Sequence, residues 1–161
     1  MNQLAGYVTG VEAHGSVAIM DVAAGHLQLT ATLLGNPQQL AAWTIDQPVV
    51  LLFKETEVAL AKNLSGDISL RNRLPGYIVS IEMGQVLTRV LLLLAAADGT
   101  CPVQIEDAGE ADNTFAKVSS VITTRSAKKL LLAVGDKVEA LVKSNEMSVL
   151  SRTDDAGMIT I

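Results

Sequence analysis

A chain of 161 residues with 49% apolar and only 18% charged side chains is too apolar to remain disordered, and its surplus apolar surface points to a homo-oligomer. The formal net charge of −5 excludes a general binder of phosphate backbones, which would carry a basic face. A lone cysteine, Cys101, excludes an intramolecular disulfide framework. With no signal-peptide pattern, and a longest apolar run (90–97) far too short to span a bilayer, the expected setting is the cytoplasm, away from membranes.

In chain order, short segments rich in Val, Ile, Leu and Thr predict strands at 7–11, 17–22, 27–33, 49–53 and 58–61. Gly15 and Ala24-Gly25 mark turns between them, and a helical turn is expected at 37–42, ahead of Asp46-Gln47-Pro48. Residues 63–67, with Ser65-Gly66, read as a connector. A second series follows at 76–81, 88–94, 118–123, 137–143 and 148–151, with turns at Gly84 and Asp98-Gly99. Its helical turn, 126–131, stops at Val134-Gly135-Asp136.

The two series are copies. Residues 2–12 read Asn-Gln-Leu-Ala-Gly-Tyr-Val-Thr-Gly-Val-Glu, and residues 72–82 read Asn-Arg-Leu-Pro-Gly-Tyr-Ile-Val-Ser-Ile-Glu. Near the ends of the copies, Lys54 falls on Lys143 and Glu57 on Glu146. The starts lie roughly 70 positions apart and the ends roughly 89, so the second copy carries an insertion of about 20 residues. Its place is 98–117, where a mobile loop with a short extra hairpin is expected. Five short strands and a helical turn per copy predict an all-β chain of two tandem, small, OB-like β-barrels. The first unit covers 1–63 and the second 68–152. Units so small should pack against each other or against another chain.

Polar residues of the second unit gather in three places: Ser69-Leu70-Arg71-Asn72, Thr123-Thr124-Arg125-Ser126 and Val142-Lys143-Ser144-Asn145. Cations, hydroxyls and backbone N–H groups with no acid among them suit a tetrahedral dianion. No nucleophile–base pair, paired acids or phosphate loop points to an enzyme. His14 and His26 fall in different turns and make no metal-ligand set. Asn2 and Asn72 read as turn-forming residues, and Tyr7 and Tyr77 as core or interface packing.

Three motifs carry a family resemblance: Ser-x-Arg-Asn-x-Leu-x-Gly from Ser69, Val-Ile-Thr-x-x-Ser-Ala-x-x-Leu from Val121, and Gly-Asp-x-Val-x-Ala-Leu-Val-Lys-Ser from Gly135. Together they resemble the molybdate-binding Mop (TOBE) domain, here in its tandem, di-Mop form. The resemblance covers essentially the whole chain and is more specific in the second unit. It implies an OB-like barrel that oligomerises and binds molybdate, and with it tungstate, at interfaces between domains. The bound metal is then an oxyanion ligand, with no organic cofactor. Carried over, Ser69 and Arg71 match the family's Ser-x-Arg, Thr123 its threonine before the helical turn, and Lys143 and Ser144 its closing Lys-Ala/Ser. Leu70 stands where a small residue is usual, with its backbone N–H as donor. Ser126 is a further candidate, with helix N-capping as its structural role.

The first unit departs from the pattern. The Ser-x-Arg lead-in is absent before Asn2, Leu34 takes the place of Thr123, and Glu55 follows Lys54 where a small residue is expected. A structural partner is therefore expected there, with Lys54 at most at a weaker site. The implied role is molybdenum storage and homeostasis, or the sensor half of a molybdate-responsive transcription regulator. Lacking a helix-turn-helix or a basic stripe, this chain should not itself bind nucleic acid. The rivals are a structural oligomerisation module with a decayed anion site and an OB-type nucleic-acid binder, the latter opposed by few aromatics and an acidic balance.

Overall fold

The computed structural model describes residues 1–105 and 115–152. The first half supplies β1 (Asn2–His14), β2 (Val17–Ala24), β3 (Leu27–Leu34), α1 (Pro37–Leu40), β4 (Pro48–Phe53) and β5 (Ala59–Ala61). The second supplies β6 (Asn72–Met83), β7 (Leu87–Leu94), β8 (Lys117–Thr123), α2 (Thr124–Lys129), β9 (Lys137–Val142) and β10 (Ser148–Ser151). These form two five-stranded antiparallel sheets, giving the expected all-β tandem of OB-like barrels.

Side chains alternate as a half-buried strand requires: in β2, Ala18, Met20, Val22 and Ala24 face the core while their neighbours face out. β1 and β6 each serve two partners, and each carries a bulge at the equivalent place, after Val8 and after Ile78. The extra residue falls just where each strand passes from one partner to the other, β1 pairing with β4 up to Tyr7 and with β2 from Tyr7 onward, and it bends the strand there. The recurrent glycine has a related reason. A Cβ on Gly76 would lie 2.8 Å from the Leu93 carbonyl oxygen, and one on Gly6 would collide with that of Ala23.

The sheets run across the repeat. Their orders are β10-β4-β1-β2-β3 and β5-β9-β6-β7-β8, so each unit gives its last strand to the other's barrel. Ser148 pairs with Leu52, and Ala59 with Leu141. Val58 and Met147, each 2% exposed, enter a single core cluster with Leu4, Met20, Phe53, Leu74, Ile78 and Leu92. A unit of about 60 residues buries too little surface to be comfortably stable alone. Exchanging strands merges two small cores into one.

Asn2 and Asn72 are not turn residues. Both are buried in strands, at 6% and 0% exposure, and each reaches across to the opposite unit. Asn72 Nδ2 donates to the Thr30 carbonyl while its Oδ1 accepts from the Thr30 N–H; Asn2 does the same with Ser119. A side-chain amide offers the same donor and acceptor as a peptide group, so each asparagine extends the ladder where the backbone cannot.

Asp46, with φ of 65°, takes the left-handed conformation that Gly135 takes in the second copy at 95°. Aspartate is among the few residues that tolerate it, so the glycine stop has an acceptable substitute. The described flanks of the 98–117 insertion are anchored. Cys101, Val103, Ile105 and Phe115 pack on Val79 and Leu93, and the Tyr77 hydroxyl donates to the Gly99 carbonyl at 2.7 Å. The expected mobile loop and hairpin fall mainly on 106–114, outside the described residues. Tyr7 is not a core residue of its own chain: it is 48% exposed, with the Arg152 guanidinium 5.4 Å from its ring centre.

Candidate functional site

Two short segments close the barrels. After β4, Lys54 leads into a 3-10 turn at Glu55–Glu57; after β9, Lys143 leads into one at Ser144–Glu146. The two lysines have near-identical backbone angles, −77°/149° and −66°/145°. Because of the strand exchange, the first turn lies against β8 and the second against β3.

The second segment gathers most of the expected residues. Asn72 is paired with Val142, so the lead-in Ser69-Leu70-Arg71 runs out of β6 alongside Lys143 and Ser144. Ser69, Arg71 and Lys143 are exposed, and Leu70 and Ser144 are half-buried. Among the described residues neither Arg71 nor Lys143 enters an ion pair, whereas Arg73, two residues on, is held by Glu139 at 2.8 Å. The Ser144 hydroxyl lies 2.8 Å from that of Thr32 in β3. Thr32 was not foreseen from sequence, because its partner sits in the other unit and only the strand exchange brings them together. Asn72 has both ends of its amide engaged with Thr30.

Thr123 and Ser126 lie elsewhere. They follow β8, which packs on the Glu55–Glu57 turn, so within one chain they belong to the first segment. Leu34, 80% exposed, is the residue at the matching end of β3. The N-cap of α2 is Thr123 rather than Ser126: its Oγ1 accepts from the Ser126 N–H at 3.1 Å and donates to the Ser126 hydroxyl at 2.8 Å. The reason is that α2 begins two residues earlier than the apolar pattern indicates.

At the first segment, Glu55 takes the position of Ser144. Its carboxylate accepts from the Met1 ammonium at 2.7 Å, and that hydrogen bond holds its pKa below the usual carboxylate value, with smaller help from the positive charge of Arg89. Lys54 is exposed and in no ion pair among the described residues. Val121 stands where Thr32 stands in the other unit, and the hydroxyl that β8 brings to this turn is that of Ser120, which donates to the Val58 carbonyl at 2.6 Å.

A cleft of about 430 Å³ between α1 and β10 is lined by Leu33, Leu34, Leu40, Trp43 and Val149 and carries no charged side chain. It offers nothing to an anion. Among the described residues no group of three or more His, Cys, Asp or Glu side chains is placed to hold a metal ion, and no helix is long and apolar enough to cross a membrane.

No protein-family model matches the sequence, and no curated protein matches it. Among solved structures, the chain is similar to the cytoplasmic molybdate-binding protein ModG in a crystal form with molybdate bound. The TM-score is 0.76 at 24% identity, over 94% of this chain and 96% of that chain. A likeness over both chains at that score shows a shared tandem Mop-type fold.

Proposed function

We propose that this protein binds molybdate, and tungstate with it, as a cytoplasmic store or sensor of the oxyanion. The observation that carries the reading is the convergence of Arg71, Lys143 and Ser144 on one closing segment, with both cations free of ion pairs among the described residues. The shared fold with a molybdate-bound ModG supports it. Arg71 and Lys143 supply charge; Ser69, Ser144 and the Leu70 N–H supply directed hydrogen bonds, stronger for an ionised acceptor than for a neutral one. Such a site performs no bond-breaking chemistry. Molybdate and tungstate share shape and charge, so this donor set hardly separates them; the smaller sulfate is rejected by donors at fixed spacing.

In one chain Ser69, Arg71 and Lys143 stand exposed, so the reading includes a homo-oligomer in which a neighbouring domain covers the anion. Exposed Leu34, Val86 and Leu131, at 80%, 74% and 79%, support such an assembly. Thr123 and Ser126 join the donor set only if the neighbouring chain presents them, since their own chain holds them at the other segment. Lys54, with Glu55 after it, stays outside this donor set.

Calorimetric titration with molybdate, and with sulfate as control, tests the reading. Saturable molybdate binding that is clearly weakened in Arg71→Ala and in Lys143→Ala, with no response to sulfate, is the expected result. Absence of heat and of thermal stabilisation at millimolar molybdate would leave a structural assembly module and end the proposal.

A further inference from the structure

The first closing segment reproduces the second almost atom for atom in its backbone, yet differs in what it presents. Lys54 matches Lys143, and both precede a 3-10 turn closed by the same return bond, Val58 N–H to Glu55 O and Met147 N–H to Ser144 O. Asn2 pairs with Phe53 as Asn72 pairs with Val142, which sets Met1 beside Lys54 as Arg71 is set beside Lys143. Met1 thus takes the place of Arg71, with its main-chain nitrogen 2.7 Å from a Glu55 carboxylate oxygen. A further cation lies close by: Arg89 in β7 is paired with Val121, the β8 residue facing this turn, where the first unit has Ile19 in β2. Arg89 is also paired with Glu82 across β6 and β7. The first segment therefore has Lys54 and Arg89 near it, as the second has Arg71 and Lys143, and Glu55 is the acid that feels the charge of Arg89 and touches the Met1 nitrogen.

Resting on the molybdate reading above, we infer that Glu55 is a specificity-determining residue that closes the first segment to oxyanions. Its carboxylate occupies the position from which Ser144 offers a hydroxyl, binds the Met1 ammonium as an internal counter-ion, and repels a dianion approaching Lys54. One chain then carries one class of anion site, although the fold has built the framework for two. A carboxylate is itself a planar oxyanion, so the first segment is occupied by the chain's own anion.

The test compares calorimetric stoichiometry for molybdate in the full-length wild type, Glu55→Ser and Glu55→Gln. The wild type is expected to take one anion per chain. Glu55→Ser should take two, and Lys54→Ala in that background should return it to one. Glu55→Gln, which keeps the size and removes the charge, should gain the second anion more weakly. A wild type that already binds two, or a Glu55→Ser protein that still binds one, overturns the inference while leaving the Arg71–Lys143 site standing. No binding by wild type together with one anion in Glu55→Ser supports the role of Glu55 and sinks the Arg71–Lys143 site. No binding by any of them overturns both.

Discussion

Lys54 and Lys143 end equivalent strands, cap equivalent turns and carry the same charge, yet the residues after them take opposite roles. Ser144 shares its hydroxyl with Thr32 and leaves the cations beside it unpaired. Glu55 binds the ammonium beside it and keeps its negative charge. A repeated backbone thus supplies two frameworks of one geometry, and on the proposed reading the side chain after each lysine decides whether the framework takes an anion. The same contrast appears at the strand facing each turn, where Thr32 has a hydroxyl and Val121 has none.

The comparison breaks most severely if the asparagine clasps fail, since they hold each closing segment to the opposite barrel. Asn72→Ala leaves the Thr30 N–H and carbonyl without partners and should cost about 3 kcal/mol in urea unfolding, with about 2 kcal/mol for the less buried Asn2→Ala. Equal and small losses would mean that water substitutes for the amide. Next in size is Arg71→Ala, which should weaken molybdate binding about 30-fold, the worth of one charged hydrogen-bonding group of about 2 kcal/mol. Lys54→Ala in the wild type should leave the affinity unchanged, and an equal effect of the two would erase the distinction between the segments. Thr32→Val removes the hydroxyl that fixes Ser144 and should weaken binding about fivefold, or about 1 kcal/mol.

The smallest effect concerns acid stability. The Asp136 carboxyl is held below its ordinary value of 3.8, mainly by the Lys62 hydrogen bond and then by the Ala133 N–H. A group that is more acidic in the fold stabilises it fully above its ordinary value, and the contribution drains away as pH falls through the folded value. Glu55 and Asp98 are lowered as well, so thermal stability should decline as pH drops below about 4. Lys62→Met, which also frees the Leu130 and Leu131 carbonyls that Lys62 caps, should flatten part of that decline and cost about 1 kcal/mol at neutral pH.

Much of the candidate grouping was legible from motif alone. Ser69, Arg71, Lys143 and Ser144 lie on segments adjoining one ladder, so their sequence pattern and their spatial grouping coincide. Thr123 and Ser126 belong to the same motif but lie at the other segment, because β8 closes against the first unit's turn. Thr32 had no signal, since a threonine in an alternating strand looks like any outward-facing residue. Asn2 and Asn72 were visible as a repeat, but a buried amide and a turn amide are indistinguishable until the partner strand is known.

Period-two alternation and the duplicated Asn-x-Leu-x-Gly-Tyr determined the strands, the barrel class and the tandem arrangement, because those depend on local patterning and on one copy resembling the other. They also located the replacement of Ser144 by Glu55. Only the tertiary structure decided that β5 and β10 change places, that each asparagine clasps the opposite unit, and that Thr32 rather than Thr123 meets Ser144. Strand exchange leaves every local pattern intact. What selects it is the burial of Val58 and Met147 in the far barrel, a contact between residues distant in sequence that periodicity does not record.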